Sequence, residues 1–437
     1  MPWSLGGKKR LFGADSASAD LQSVLLFNTI FIPGLYFLRK SDKINMKYHF
    51  ILVCILLTEL ISCKQESPVQ VFVSGTEGHK SYRIPAIIGL PDGTLLAFAE
   101  GRVKGSDDFG DVNIVLKRSS DNGRTWGEMS TVVDYDSLQA GNPAPVADLT
   151  DPDYPDGRIF LFYNTGNNHE GEVRKGNGYR EVWYKTSADG GVSWSESVNI
   201  TTQVHRPLKP DVNPQYNFSE DWRLYANTPG HAIQVKNGKF KGRILVPANH
   251  SAGEPLKNWE DNFSHAFFTD DHGKTFRAGE SVSIPGSNEA TAAEMSGGRI
   301  MLNARNQKGD IRARIVAISN DGGNSWETFF YDHMLPDPVC QGSILNIGEY
   351  NGRSILAFSN PADTADRNNL TLRLSYDDGE SWVHEISIDK SDDINKKKNY
   401  TAYSDIVSMS HGRIGIIYER DNYSEIVFKT VKPKSKY

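Results

Sequence analysis

Cysteine is scarce in this sequence, with three among 437 residues, and two of those, Cys54 and Cys63, lie near the N-terminus. Cys340 stands alone in the body, which excludes a disulfide framework and a cysteine-built zinc site. A large excess of positive charge is also missing. The formal net charge is −6, and the acidic excess falls after residue 63. A broad basic face is therefore excluded, and with it a nucleic-acid partner. No long helical period is present, and the 39 glycines follow no three-residue repeat, so the chain is not collagen-like. The apolar run from Phe50 to Leu57 is too short to span a bilayer. The stretch from Leu21 to Leu38 is interrupted by Asn28, Pro33 and Gly34.

What is present begins with an address. Met46-Lys47-Tyr48-His49 precedes that short apolar run, and Leu60-Ile61-Ser62-Cys63 follows it. A basic start, an apolar core and a small residue before the cleavage point describe a secretory signal. Its end resembles a bacterial lipobox. The expected organisation is an upstream extension over 1–45 from a misplaced start, a signal over 46–62, a tether over 63–78 and a globular domain over 79–432. A real membrane anchor within 1–45 is the alternative. Cys63 is expected to carry a lipid anchor that holds the protein to a bacterial membrane, in the periplasm or at the cell surface.

From residue 93 a two-part unit recurs. A turn and apolar strand start at Gly93, Gly157, Gly242, Gly298, Gly352 and Gly412. After each of the first five, a second strand ends in one turn pattern: Ser119–Trp126, Ser187–Trp194, Thr269–Phe276, Ser319–Trp326 and Ser375–Trp382. The sixth copy ends in a plain strand, Glu425 to Thr430. In each turn an Asp can accept from backbone amides, a Gly can take positive φ, and the aromatic is expected to pack back onto its own blade. Short apolar strands without helices predict an all-β chain. Repeats of about 62 residues fit a six-bladed β-propeller with long loops.

These turns resemble Asp boxes, which are structural elements and carry no chemistry. Together with Tyr82-Arg83-Ile84-Pro85 and Ala97-Phe98-Ala99-Glu100-Gly101-Arg102, they make the chain similar to bacterial exo-α-sialidases from about Gly78 to Lys432. The resemblance implies removal of terminal sialic acids from glycoproteins, glycolipids or other sialylated glycans. Such a sugar carries a carboxylate on its anomeric carbon, which suits planar guanidinium groups. The family's three arginines match Arg83, Arg305 and Arg373. A carboxylate nucleophile would meet a like charge there, and sialidases are the glycosidases that use Tyr. Tyr403 matches the nucleophile and Glu289 its base, with Glu294 as a local competitor. The acid is expected among Gly105-Ser106-Asp107-Asp108-Phe109-Gly110, where the register favours Asp108 over Asp107. It needs a raised pKa, from an apolar site or a like-charged neighbour such as Asp111.

The same resemblance assigns Arg102 and Asn142 to the sugar's 4-position and makes Glu419 the partner that orients Arg83. No metal or cofactor is required; Asp151-Pro152-Asp153 reads as a turn before it reads as a calcium loop. A monomer is expected. Trans-sialidases and anhydro-forming enzymes share this residue set, so they stay open within the enzyme class. A propeller that only binds carbohydrate is the reading from another class, and it has no need of Tyr403, Glu289 and the arginines together.

Overall fold

The computed structural model describes residues 67–210, 212, 214 and 219–433. The expected signal, Cys63 and the upstream extension lie outside the described residues. Short apolar strands can bury their faces only by pairing and stacking, and this chain does both in successive antiparallel meanders. The first comprises Ser81–Gly89, Leu95–Arg102, Val112–Ser119 and Ser130–Val133. The second comprises Gln139–Asp148, Arg158–Gly166, Arg180–Ser187 and Val198–Asn199, and a single parallel pair, Val112 with Gln139, joins the two into one sheet. The third is built on Trp222–Asn227, Ile244–Ala252, Asn262–Thr269 and Arg277–Ala278. Ser287–Glu294 opens the fourth and Ser343–Tyr350 the fifth.

The last sheet holds Thr401–Met409, Arg413–Arg420 and Glu425–Val431, and its outer strand is Val69–Val73 from the other end of the chain. The tether expected over 63–78 is corrected here. Val69 pairs with Phe428 and Val73 with Glu425, while Val71 and Phe72 are buried. The physical reason lies in the sixth repeat, which lacks a box and a fourth strand, and an unpaired apolar edge needs cover.

The core lies between successive sheets, as in a propeller. Phe160 and Phe162 pack with Phe267, Leu245 and Phe268 with Leu302 and Ile315, and the last sheet's Ile417 and Phe428 with Ile87 and Leu95 of the first meander. The five boxes share one hydrogen-bond scheme. In the first, Ser119 Oγ donates to Asp121 Oδ1 (2.8 Å), Gly123 N donates to Ser119 Oγ (2.9 Å), and Thr125 N donates to Asp121 Oδ1 (2.9 Å). Gly123 has φ +80°, and a Cβ there would fall 2.1 Å from the Phe428 ring, so only glycine fits.

The box aromatics do more than expected. Phe276 and Trp382 meet their own sheets, at Phe267 (6.2 Å) and Phe358 (5.8 Å), and others reach across to the preceding sheet. Trp126 meets Phe428 edge-on at 5.5 Å, Trp194 meets Phe98 at 6.0 Å, and Trp326 Nε1 donates to Glu280 O at 2.9 Å. A residue at the end of a third strand is nearer the neighbouring sheet than its own twisted centre. The boxes therefore staple sheet to sheet. At the middle, buried Asp405 accepts from Ile87 N (2.8 Å) and Ser343 Oγ (2.7 Å) and lies 2.7 Å from His231 Nδ1. One carboxylate thereby ties segments of three other meanders.

Candidate active site

Four opening strands lose register near their first residues, at Arg83/Ala86, Gly141/Ala144, Ser287/Ala290 and Thr401/Ser404. A bulge inserts a residue and re-aims side chains. Here the bulged segments contain Arg83, Asn142, Glu289 and Tyr403, with Ile84 at φ 56° and Asn142 at φ 54°. The neighbouring second strands end on the same face and supply Arg102, Arg305 and Glu419. Arg83, Arg102, Asp108, Asn142, Glu289, Arg305 and Tyr403 all line one pocket. Glu419 lies beneath it, fully buried.

Tyr403 Oη donates to Glu289 Oε1 at 2.6 Å. Arg305 Nη1 donates both to Glu289 Oε2 (2.7 Å) and to Tyr403 Oη (2.9 Å). Burial first, and then the Glu289 charge, hold the Tyr403 phenol well above its ordinary pKa, against the opposing charges of Arg305 and Arg367. The hydroxyl therefore keeps its proton, pointed at a carboxylate able to take it. Arg83 Nε donates to Glu419 Oε1 at 2.6 Å, as the pairing of these two residues predicts. Glu419 also accepts from Ile84 N (2.9 Å) and Tyr403 N (3.2 Å), so it fixes the backbone of both bulges.

On the other wall Arg102 is buried. Nη2 donates to Glu100 Oε2 (2.7 Å) and Nη1 pairs with Asp108 Oδ1 (2.7 Å). Asn142 N donates to Glu100 Oε1 (2.9 Å), and Asn142 Nδ2 reaches Asn227 O (3.2 Å). Asp108, with its side chain 60% exposed, lines the pocket; Asp107 does not. The raised pKa expected for Asp108 is corrected. Burial would raise it, but the positive charges of Arg102 and Arg83 outweigh that and hold the carboxyl below the usual aspartate range. Asp111 pairs with Lys104 at 3.6 Å and is a strand-end charge.

Arg373 is the second correction. Its Nε pairs with Glu385 Oε1 (2.8 Å) and its Nη1 donates to Asn360 Oδ1 (3.3 Å), away from the pocket. It lies three residues into Leu370–Ser375, whereas the pocket lies at the end where that strand begins. Arg367 occupies that end and lines the pocket. Its Nη2 donates to Val339 O (3.0 Å), and its guanidinium lies 5.6 Å from the Tyr403 ring centre. Arg367 lies in the bend before the strand, and Asn369, at φ 57°, turns the chain between it and Arg373. Sequence reasoning took the arginine beside the box and passed over the one in the preceding loop.

Other competitors separate cleanly. Glu294 accepts from Lys236 N (2.7 Å) and Asn237 N (2.9 Å), outside the pocket. Asp151 Oδ1 accepts from Asp153 N (3.0 Å), the turn expected there. Among the described residues Asp148, Asp151 and His272 come close enough to hold a cation, but Arg158 already pairs with Asp151 at 2.7 Å. The sequence reading missed Glu100, Glu170, Arg180, Trp259 and Arg367, all on the pocket wall. Glu100 was within reach, since it sits two residues before Arg102 in the same quoted motif.

Residues 93–416 match a family described as BNR repeat-like domain. A sialidase of Micromonospora viridifaciens is 32% identical over 366 residues, covering 79% of this chain and 51% of that protein. A sialidase of Bacteroides fragilis (strain YCH46) is 27% identical over 387 residues, covering 83% of this chain and 64% of that protein. The chain thus spans about half the length of the first relative and under two thirds of the second. In fold it resembles the Hadza microbial sialidase Hz136, with a TM-score of 0.69 at 24% identity over 84% of this chain and 68% of that one. It also resembles a leech intramolecular trans-sialidase, with a TM-score of 0.65 at 18% identity over 85% and 70% of the two chains.

Proposed function

The chain belongs to the BNR-repeat sialidase family, and from that premise we propose that it is a retaining exo-α-sialidase on a six-bladed propeller, cleaving terminal sialic acids from glycans. The observation that carries this reading is the 2.6 Å hydrogen bond from Tyr403 Oη to Glu289, in a pocket that Arg83, Arg305 and Arg367 also line. A neutral phenol beside a carboxylate is a nucleophile with its base attached. Three guanidinium groups around it make a place for an anion that a neutral sugar would not need.

The steps follow from those positions. The sugar's carboxylate rests on the three arginines, which brings its anomeric carbon over Tyr403 Oη. That oxygen attacks, its proton passes to Glu289, and the glycosidic bond breaks as Asp108 gives a proton to the leaving oxygen. A water, deprotonated by Asp108, then attacks the same carbon and the Tyr403 oxygen leaves with the proton held by Glu289. Two displacements retain configuration.

Proton NMR of the products released from a sialyl-lactose tests this. The α-anomer of free sialic acid should appear first. Initial β-anomer, or no release at all, would overturn the proposal, and an anhydro sugar as sole product would move it to the intramolecular trans-sialidase reading. The lipobox-like Leu60-Ile61-Ser62-Cys63 supports an envelope lipoprotein anchored at Cys63. Mass spectrometry of the native protein should find a lipidated Cys63 at the mature N-terminus; an unmodified Cys63 would remove that proposal.

A further inference from the structure

Of the three arginines placed around the sugar's carboxylate, two already have acidic partners, Arg83 in Glu419 and Arg305 in Glu289. Arg367 does not. Among the described residues its guanidinium has two acceptors, both neutral: Val339 O at 3.0 Å from Nη2 and the Tyr423 hydroxyl at 3.3 Å from Nη1. The same Tyr423 serves Arg83, whose guanidinium carbon stands 3.9 Å from the centre of the ring. A side chain outside the pocket lining thus touches two of the arginines, with its face to one and its hydroxyl to the other. Both guanidinium carbons lie 5.6 Å from the Tyr403 ring centre, so the gap between them is set evenly about the proposed nucleophile.

The backbone shows what holding the ring there requires. Tyr423 ends a run of three left-handed residues, Asp421 (φ 48°), Asn422 (φ 54°) and Tyr423 (φ 65°), in the hairpin between Arg413–Arg420 and Glu425–Val431. Asp and Asn tolerate that region, whereas a bulky aromatic is strained in it. The turn is fixed from outside. Asp421 N donates to Tyr400 O (2.8 Å), Asn422 N to Asn399 O (3.0 Å) and Ser74 Oγ to Tyr423 O (2.9 Å). The other acceptor of Arg367, Val339, is β-branched and also left-handed, at φ 61°. Strain of this kind persists only where the surroundings over-determine it, and it collects at ligand sites.

The chemistry explains the choice of a phenol. Two guanidinium groups held for one anion repel each other until the anion arrives. A carboxylate on Arg367 would relieve that repulsion but compete with the ligand. A neutral ring offers its negative face to one cation and a hydroxyl oxygen to the other, and cancels neither charge. Burial raises the Tyr423 pKa against the charges of Arg367 and Arg83, so the group stays neutral.

We propose that Tyr423 is a positioning residue that fixes the spacing of Arg83 and Arg367 for a ligand carboxylate. The inference rests on the sialidase reading, which supplies that carboxylate. Tyr423 itself takes no part in proton transfer, so its loss acts on carboxylate affinity before it acts on turnover.

The test compares wild type, Tyr423→Phe and Tyr423→Asn by calorimetric titration with an unsaturated sialic acid analogue and with its methyl ester. Tyr423→Phe keeps the ring beside Arg83 and loses the acceptor for Arg367. Tyr423→Asn loses both, and Asn suits the left-handed turn. Wild type should prefer the acid over the ester by at least about 30-fold, as a charge pair in a desolvated pocket does. That preference should fall about threefold in Tyr423→Phe, for one lost hydrogen bond, and about tenfold in Tyr423→Asn. On an aryl sialoside KM should rise while kcat stays within about threefold, the mark of lost uniform binding. A merely structural role would weaken acid and ester alike. An acid-to-ester preference unchanged in both variants, or a loss confined to kcat, would overturn the proposal. If Tyr423→Asn fails to fold, Tyr423→Phe decides, since it removes a single oxygen. A wild type that binds acid and ester equally would mean that the pocket reads no carboxylate, and the sialidase reading itself would fall, taking this inference with it.

Discussion

The Tyr403 hydroxyl donates to Glu289 Oε1 over 2.6 Å although 114 residues separate them in the chain. Each residue sits in a bulge at the start of a different meander, so the contact exists only because two opening strands begin at one face. Arg305 Nη1 reaches both partners, and its charge works against the burial and the Glu289 charge that hold the phenol proton in place.

Tyr403→Phe should therefore abolish turnover and leave binding. We expect kcat to fall at least about 100-fold, and Glu289→Gln to fall by about 100- to 10,000-fold, the range for a general base. Calorimetric titration with an unsaturated sialic acid analogue should still show binding to both variants. Near-normal hydrolysis by Tyr403→Phe would take this residue out of the reaction.

The two arginines near the fifth box make a paired prediction. Arg367→Lys keeps the charge but loses the planar fork. Breaking a charge-assisted pair in a desolvated pocket should cost about 2–4 kcal/mol in kcat/KM, mostly through KM. Arg373→Lys, at a buried position whose partner Glu385 lies outside the pocket, should stay within about threefold of wild type on the sialoside, as a change that touches nothing in the site does. Steady-state kinetics on one aryl sialoside decides. Equal damage from both substitutions would return Arg373 to the site.

The same pair shows how far the sequence could be read. Repeats with a Ser-x-Asp-x-Gly turn have one local hydrogen-bond solution, so the all-β repeat architecture was legible before any contact was known. Arg83, Glu289 and Tyr403 were legible because each sits in a short motif at a strand start. Arg367 was not, because it lies in a loop whose length fixes its position and which has no local pattern of its own. Glu170 and Arg180 were hidden for a similar reason, since Arg180 needs Gly166 fourteen residues earlier to make room for it. The direction of the Asp108 shift was also hidden. It depends on Arg102 and Arg83 arriving together, and a linear reading weighed an apolar site or a like-charged neighbour instead.

That shift carries a pH prediction. The free-enzyme pKa of Asp108 is lowered, so the protonated fraction needed by a general acid falls about tenfold per pH unit already above the ordinary aspartate range. A natural glycoside, which needs that proton, should show kcat/KM declining from acid pH upward. An aryl sialoside with a good leaving group should decline less. Asp108→Asn should remove the difference between the two profiles while harming the natural substrate more. Identical profiles for both substrates in the wild type would mean that Asp108 is not the proton donor.

The boxes make a prediction about stability instead of catalysis. Hydrogen bonds from Thr125 to Asp121 and from Ser193 to Asp189 lower those carboxyls to about 2, and Asp271, Asp321 and Asp377 are lowered too, their turn hydrogen bonds outweighing burial. A carboxyl with a lower pKa folded than unfolded stabilises the fold above its unfolded value, about 3.9. That contribution is lost as pH falls through the folded value. Stability should therefore drop between about pH 4 and pH 2 with more protons taken up by the unfolded chain than the folded one. These side chains are partly in water, so each contributes modestly and less in high salt. Asp189→Asn isolates the effect, because the amide resembles a protonated carboxyl in shape. Urea midpoints should place the variant below wild type at pH 7 and bring the two together near pH 2. A gap of the same size at both pH values would mean that the charge on Asp189 contributes nothing, and that the box holds by its backbone geometry alone.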